Sequence, residues 1–310
     1  MPYLSVHFKE KITPDGEQVY FAVSKDGFNW EQVNDGNPVL TAKLGEKGCR
    51  DIEIVRLHTG GFMIVTTDLC IAYRFYENYN IDWKHVNSHG SKCLRMWKTE
   101  DFTSFSEERL VHFGRDDFGC MWAPEVFFDE ENQEYLIHWG STVAEDNFTH
   151  MSIYCSTTKD FETFSVPKMF FTKENEILDS HLLKIGDTYH LYYKNAHNPG
   201  MNMHSTSKCL YGPYEHDGEF QKLMEELDSP GAYEGPTTYR LPDGRWCLML
   251  DFFGCEKPKM GYVPWVSETD EHKNFKMCKR EFSFPYGFKH GRFIEITEQE
   301  YENLKGIKRA

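Results

Sequence analysis

Segments with the alternating pattern of β-strands begin at nearly equal intervals along this chain. They open at Asp51, Glu125, Asp179, Glu234 and His290. The last three intervals are 54, 55 and 56 residues, and the first, of 74 residues, contains an additional loop at 70–91. Each of the first four segments continues as a hairpin whose turn residues tolerate positive φ, such as Gly-Gly at 60–61 and Asp-Gly at 243–244. The regular spacing therefore predicts repeated antiparallel units.

A second motif recurs between these hairpins and supports the repeat. It places an acidic residue before aromatic residues at a turn, as in WKTEDFTSF (97–105) and STTKDFETF (156–164). The repeat period of about 55 residues is slightly longer than the usual length of one propeller blade. With four strands in each unit it predicts an all-β fold, a five-bladed β-propeller. A β-sandwich is the rival architecture, but a sandwich has no reason to repeat five times.

The chain ends predict how the ring closes. The strand HGRFIEIT (290–297) has no partner after it, and the N-terminal segment 3–24 can supply one, so both ends are expected in a single blade. The stretch 297–306 has a threonine followed three residues later by glutamate, which predicts a short C-terminal helix. We expect one propeller domain over residues 1–310.

Composition excludes several classes of partner. The formal net charge is −15 and basic residues form no run, which argues against nucleic acid. No segment reaches the roughly 18 apolar residues of a membrane span, and residues 1–16 lack a signal-peptide core. Nine cysteines are scattered without a C-x-x-C pair, which favours neither disulfides nor zinc. We expect a soluble, cytoplasmic protein.

Four of the five strand openings are acidic. The first strand of each propeller blade lines the central channel, so these carboxylates are expected to converge. Clustered carboxylates cost free energy through repulsion and desolvation, and the fold itself does not need them. Glycoside hydrolysis uses opposed carboxylates, one protonated to assist the leaving oxygen and one ionised to activate water.

Five motifs, met in order along residues 20 to 297, resemble the blade-start motifs of glycoside hydrolase family 43. They are RDIEIV, MWAPEV, ILDSHLLKIGDTYHLYYK, YEGPTTYRL and FKHGRFIEIT. The resemblance implies a five-bladed propeller that inverts configuration, of α-L-arabinofuranosidase or β-xylosidase type. The chain departs from the family where Ile52 follows Asp51 in place of proline, and where MWAPEV ends its Trp-Ala-Pro motif with glutamate in place of aspartate.

The resemblance also implies roles for the acidic residues. Asp51 matches the general base, Glu234 the general acid, and Asp179 the acid that orients the donor and tunes its pKa. Glu125 matches a substrate-facing position. His290 matches an axial histidine that, in members with a metal, contacts a calcium ion or its waters, so an axial Ca²⁺ is an open alternative to an enzyme that needs no cofactor.

Other residues are candidates for sugar binding. Trp122 is the better aromatic platform of the two tryptophans near the second hairpin, although core packing explains tryptophans equally well. His181 is expected on the same strand face as Asp179, and Arg292 lies near the last strand opening. The aromatic loop with Tyr73, Phe75, Tyr76, Tyr79 and Trp83 either walls the sugar site or packs against another subunit.

The sequence therefore predicts an exo-acting, inverting glycoside hydrolase that releases a terminal α-L-arabinofuranosyl or β-D-xylosyl unit from short oligosaccharides. Two alternatives stay open. A glycoside phosphorylase would need a cationic pocket for phosphate, and no cluster of basic residues is evident in the sequence. A non-catalytic carbohydrate-binding propeller is the other alternative.

Overall fold

The computed structural model describes residues 1–71, 73–74, 82–196, 201–226, 232–253 and 260–308. Within these residues, 20 strands form five four-stranded antiparallel sheets. We number the sheets as blades I to V, starting from the first complete one.

The blades contain the following strands. Blade V begins with β1 (Tyr3–Phe8), β2 (Tyr20–Ser24) and β3 (Glu31–Gln32). Blade I contains β4 (Cys49–Arg56), β5 (Phe62–Asp68), β6 (Cys93–Thr99) and β7 (Arg109–His112). Blade II contains β8 (Trp122–Asp129), β9 (Glu134–Ser141), β10 (Ser152–Thr158) and β11 (Lys168–Phe171). Blade III contains β12 (Ile177–Ile185), β13 (Thr188–Asn195), β14 (Met201–Ser207) and β15 (Glu215–His216). Blade IV contains β16 (Ala232–Arg240), β17 (Trp246–Phe253), β18 (Gly261–Ser267) and β19 (Phe275–Met277), and β20 (Lys289–Glu295) completes blade V.

The blades form a closed ring. The strands β4, β8, β12, β16 and β20 contact one another in that order, and β20 returns to contact β4. A buried apolar cluster fills each of the five contacts between neighbouring blades, which is where burial stabilises a propeller. In blade V, β20 pairs with β1 through Tyr3 opposite Glu295 and Ser5 opposite Phe293. The predicted five-bladed propeller, closed by both chain ends in one blade, is confirmed.

Three short α-helices accompany the sheets in the described residues. The predicted C-terminal helix is α3 (Glu298–Lys305), with a capping box between Thr297 and Glu300. Two further helices were not predicted: α1 (Trp83–His89) and α2 (Gly218–Glu225). Each begins after an aspartate, Asp82 or Asp217, whose side chain accepts backbone N–H groups of the first turn. None of these helices combines the length and apolar character that crossing a membrane requires.

The innermost strands of blades I to IV share a β-bulge near their first residues. The pairing register shifts at this point in β4, β8, β12 and β16. The bulged residues Asp51, Ala123, Asp179 and Gly235 have φ of 50°, 50°, 51° and 53°. This left-handed region is unusual for residues with a side chain, and a bulge changes the direction of the side chain it carries.

The bulges correct the predicted equivalence of the strand openings. Asp51 and Asp179 do occupy equivalent bulge positions, whereas Glu234 lies one residue before its bulge and Glu125 two residues after. The structural counterpart of Glu125 in blade I is Glu53. In the sequence these strands were aligned by their acidic residues, whereas the bulge, which lies at the same place in all four strands, gives their true register.

Candidate active site

One small cavity brings together the three acids predicted to act on the substrate. It has a volume of about 110 Å³. Its wall contains the acids Asp51, Asp179 and Glu234, the cations Arg50, Lys194 and His290, and the apolar residues Leu69, Ile71, Trp83, Trp122 and Leu178. The acids come from blades I, III and IV. The volume is below the roughly 300–1,000 Å³ of typical small-molecule sites, so it matches a single sugar unit better than a chain.

Asp51 is held as a carboxylate. The Thr67 hydroxyl donates a hydrogen bond of 2.8 Å to Oδ2, and Nδ1 of His290 lies 3.2 Å from Oδ1. Thr67 also accepts the backbone N–H of Ala123 at 2.8 Å, which links blades I and II at this point. Burial raises the pKa of Asp51, but His290, Arg50 and Thr67 outweigh burial and lower the pKa to about 2. The group is therefore ionised at neutral pH, as a base must be.

His290 is held as a cation. Its Nδ1 lies 3.2 Å from Asp51 and 4.0 Å from Asp179, and its backbone N–H donates to Oδ2 of Asp251 at 2.9 Å. Burial lowers the pKa of His290, but Asp179, Asp51 and Glu234 outweigh burial and raise it to about 9. Gly235 permits this placement, because a Cβ there would lie 2.6 Å from the imidazole ring.

Glu234 is paired with two lysines. Nζ of Lys194 donates to Oε2 at 2.6 Å, and Nζ of Lys289 lies 3.7 Å from Oε1. Lys289 is only 3 % exposed and also contacts Asp251 at 2.9 Å. Burial raises the pKa of Glu234, but Lys194 and Lys289 outweigh burial and lower the pKa to about 2.

Asp179 differs from the other two acids. The described residues donate no hydrogen bond to its side chain, and its nearest ion-pair partner is His290 at 4.0 Å. Burial raises the pKa of Asp179, with Glu234 and Asp51 adding to the effect and His290 and Lys194 opposing it.

Three predicted substrate-binding residues lie outside the cavity wall. The buried residues Glu125 and His181 and the half-buried Arg292 form a network one step further along the innermost strands. Nδ1 of His181 lies 2.9 Å from Oε1 of Glu125, and Nη1 of Arg292 lies 3.3 Å from the same oxygen. His181 also contacts Thr238 through Nε2 at 2.8 Å. The polar atoms of these side chains already bond to one another. This favours a role in holding the cavity wall in place over direct contact with a sugar.

The residues do not fit the axial calcium ion that the resemblance left open. Calcium is bound by oxygen ligands, whereas the two oxygens of the Asp51 carboxylate are already engaged by the Thr67 hydroxyl and by Nδ1 of His290. The Arg292 guanidinium lies between Glu53, at 4.0 Å, and Glu125, at 3.3 Å, and already supplies these acids with a positive charge. In the part of the chain that the structure describes, no group of three His, Cys, Asp or Glu side chains is placed to hold a metal.

The predicted aromatic residues divide between wall and core. Trp122 and Trp83 both line the cavity, with ring centroids 6.3 Å apart, and Trp83 is 53 % exposed. Trp139 is fully buried in the contact between blades I and II. Phe75, Tyr76 and Tyr79 of the aromatic loop lie outside the described residues.

Sequence reasoning predicted His290 but missed the three other cations of the site. Arg50, Lys194, Lys289 and His290 converge on the carboxylates, although the sequence showed no basic cluster. Lys194 comes from the second strand of its blade, where it pairs with Leu178. The signals available were a lysine near the end of a strand that is rich in aromatic residues and a lysine directly before His290. Neither signal indicates which carboxylate the lysine contacts.

Comparison with known proteins identifies relatives over most of the chain. An α-L-arabinofuranosidase of Bifidobacterium longum subsp. longum is 24% identical over 275 residues, which is 77% of this chain and 25% of that protein. The chain therefore spans only a quarter of the length of this relative. A GH43 protein from Bacillus licheniformis has a similar fold, with a TM-score of 0.59, 15% identity, and coverage of 100% of this chain and 56% of the other.

A further solved structure has nearly the same extent as this chain. An exo-1,5-α-L-arabinanase from a bovine ruminal metagenomic library is matched with a TM-score of 0.58 and 13% identity, over 89% of this chain and 92% of the other. At such identity the likeness concerns the fold alone. The family model described as "Probable glycosyl hydrolase domain", a relative of glycoside hydrolase family 43, matches residues 1–302. The chain belongs to this family of probable glycosyl hydrolase domains related to glycoside hydrolase family 43.

Proposed function

We propose that the protein is an inverting, exo-acting glycoside hydrolase that releases a terminal pentose from short oligosaccharides. The observation that carries the proposal is the convergence of Asp51, Asp179 and Glu234, from three blades, on one cavity of about 110 Å³. A fold has no structural use for this cluster, whereas single displacement at an anomeric carbon requires a base and an acid on opposite sides of one sugar.

Asp51 is the proposed base. Its carboxylate would take a proton from water while the water oxygen bonds to the anomeric carbon, and the bond to the leaving oxygen breaks as an acid protonates it. The family resemblance gives the acid role to Glu234 and a supporting role to Asp179. The small volume of the cavity, about 110 Å³, supports attack on a terminal unit. The name of the Bifidobacterium relative favours an α-L-arabinofuranosyl unit, with β-D-xylosyl as the alternative.

A glycoside phosphorylase is a second candidate, and the cations around the cavity favour it. Phosphate would replace water and need positive charge beside the acid. Each cation, however, already contacts a carboxylate: Arg50 lies 2.6 Å from Glu17, Lys194 lies 2.6 Å from Glu234, and His290 lies 3.2 Å from Asp51. Phosphate would have to displace one of these buried pairs, so we favour hydrolysis. The predicted cytoplasmic location suits short oligosaccharides and stays a prediction.

A product assay tests the proposal. The protein is incubated with aryl α-L-arabinofuranosides and aryl β-D-xylosides, with and without inorganic phosphate, and the sugars are separated by chromatography. Free pentose released without phosphate is the expected result. Pentose phosphate formed only with phosphate would establish the second candidate. Binding without turnover would leave a non-catalytic sugar-binding propeller and refute both enzymes.

A further inference from the structure

The hydroxyl group of Tyr262 bonds to the backbone of two strands that carry residues of the active site. Tyr262 lies in β18 of blade IV and is 7 % exposed. Its Oη lies 2.9 Å from the carbonyl oxygen of Gly235 in β16 and 2.7 Å from that of Gly291 in β20. The N–H of Gly291 donates to the same Oη at 2.7 Å. One side chain from the third strand of a blade therefore joins the innermost strands of blades IV and V.

Both glycines directly follow residues of the cavity wall. Gly235 comes after Glu234, the proposed acid. Gly291 comes after His290, whose Nδ1 lies 3.2 Å from the proposed base, Asp51. The hydroxyl of Tyr262 therefore connects the backbone beside the acid to the backbone beside the histidine that contacts the base.

The two glycines also lie where strand pairing is interrupted. In β16 the register with β17 shifts between Glu234 and Thr237, and Gly235 lies in this gap. In β20 the register with β1 shifts directly before Arg292, and Gly291 lies in that gap. Buried backbone groups that are left out of a ladder need other partners. Here a single hydroxyl group serves both interruptions.

Strand register places Tyr262 where it can do this. Glu234, Asp251 and Tyr262 lie opposite one another across β16, β17 and β18, and residues directly opposite in antiparallel strands share a face. Asp251 accepts the backbone N–H of His290 at 2.9 Å. The row of three side chains in blade IV therefore contacts His290 and Gly291, two successive residues of blade V.

We propose that Tyr262 is a positioning residue that fixes the place of Glu234 relative to His290 and Asp51. The inference rests on the proposed function and goes beyond it, because Tyr262 lies outside the cavity wall. Single displacement needs an acid and a base separated by room for the sugar and a water molecule. A displacement of about 1 Å in such a site can cost about 10²-fold in rate, even when the altered residue is remote from the chemistry.

The variant Tyr262→Phe tests the inference, because it removes one oxygen atom and keeps the ring that packs on Phe293 with centroids 5.2 Å apart. It is expected to lower kcat on phenyl pentosides by ~10–100-fold and to change KM by less than about threefold. Circular dichroism at the assay temperature confirms that the variant is folded.

Tyr239→Phe is the matched control. Tyr239 is 4 % exposed, lies at the other end of β16 from Glu234, and donates its hydroxyl proton to the carbonyl oxygen of Gly27 at 2.8 Å. Both variants are expected to unfold at lower urea concentration than wild type, because each loses a buried hydrogen bond. Only Tyr262→Phe is expected to lose activity, and kcat of Tyr239→Phe should stay within about twofold of wild type.

Nuclear magnetic resonance of the histidine side chains gives a second readout that does not depend on turnover. The imidazole signal of His290, identified by its absence from His290→Gln, is expected to shift in Tyr262→Phe and to keep its position in Tyr239→Phe. An unmoved His290 signal in Tyr262→Phe would contradict the inference.

The outcomes separate this inference from the proposed function. A wild-type protein that releases no pentose from any substrate refutes the proposed function. In an active wild type, a folded Tyr262→Phe with kcat within about twofold of wild type refutes only the positioning role. An equal loss of kcat in Tyr239→Phe would refute it too, because the loss would then follow from lower stability alone.

Discussion

The charge on His290 should make stability depend on pH in a defined window. Its pKa is about 9 in the folded protein against an ordinary value of 6.5. A group whose pKa is raised by folding stabilises fully below the unfolded value and loses that contribution as pH rises through the folded value. The difference corresponds to about 3 kcal/mol, at about 1.4 kcal/mol for each pKa unit.

The shift of its partner gives a smaller figure. Asp51 falls from 3.8 to about 2, which corresponds to about 2 kcal/mol. The larger figure applies to His290 because that cation also faces Asp179 and Glu234. The two side chains are 10 % and 13 % exposed, so solvent screening removes little of either value.

Urea unfolding of wild type and of His290→Gln, measured from pH 6 to pH 10, tests this reasoning. Glutamine is uncharged throughout, so the difference in unfolding free energy should be constant below about pH 6.5, shrink by about 2–3 kcal/mol between about pH 6.5 and 9, and level off above that range. Groups common to both proteins cancel in the difference. His216→Gln is the control, because His216 is exposed and its replacement shows the effect of losing a histidine that is not buried beside carboxylates. Curves for wild type and His290→Gln that stay parallel across the window would refute a buried cation at this position.

Three further predictions concern the wall and the scaffold. Asp51→Asn should lower kcat by ~10²–10⁴-fold on phenyl and dinitrophenyl pentosides alike, because both substrates need an activated water. Steady-state kinetics that show a loss on only one of the two substrates would contradict the role of Asp51 as base. Trp83→Ala should raise KM for oligosaccharides by several-fold and leave aryl pentosides less affected, since this exposed ring stands at the cavity wall; equal effects on both substrates would argue against a sugar platform. Arg95→Met should lower the free energy of unfolding by about 3–5 kcal/mol in thermal or urea unfolding. The reason is that the fully buried Arg95 neutralises Asp68 and Glu108. A change below about 1 kcal/mol would show that these acids find other partners.

The fold could be predicted from the sequence because a propeller repeats its pattern. Equal spacing between hairpins fixes the number of blades, and an unpaired last strand indicates how the ring closes. The helices α1 and α2 were missed because each interrupts the repeat only briefly. In α2, the buried residues Phe220 and Met224 lie one turn apart after the capping residue Asp217, which is a helical signal in a short segment between strands.

The site was predictable only in part. The convergence of Asp51, Asp179 and Glu234 follows from their places at the start of innermost strands. Their protonation does not, because it depends on Lys194 of a neighbouring strand and on the register that brings it to Glu234. Glu125 lies two residues after the bulge of its strand and outside the cavity wall, and an offset of two residues is less than a spacing argument can resolve.

The proposed mechanism requires carboxyl groups of one cavity to act on opposite sides of a single sugar. The most direct measurement is proton NMR of the first anomer released from an aryl α-L-arabinofuranoside or β-D-xyloside, recorded before mutarotation. The β-anomer of arabinose or the α-anomer of xylose should appear first. First release of the starting configuration would mean a covalent intermediate and would contradict single displacement by these residues.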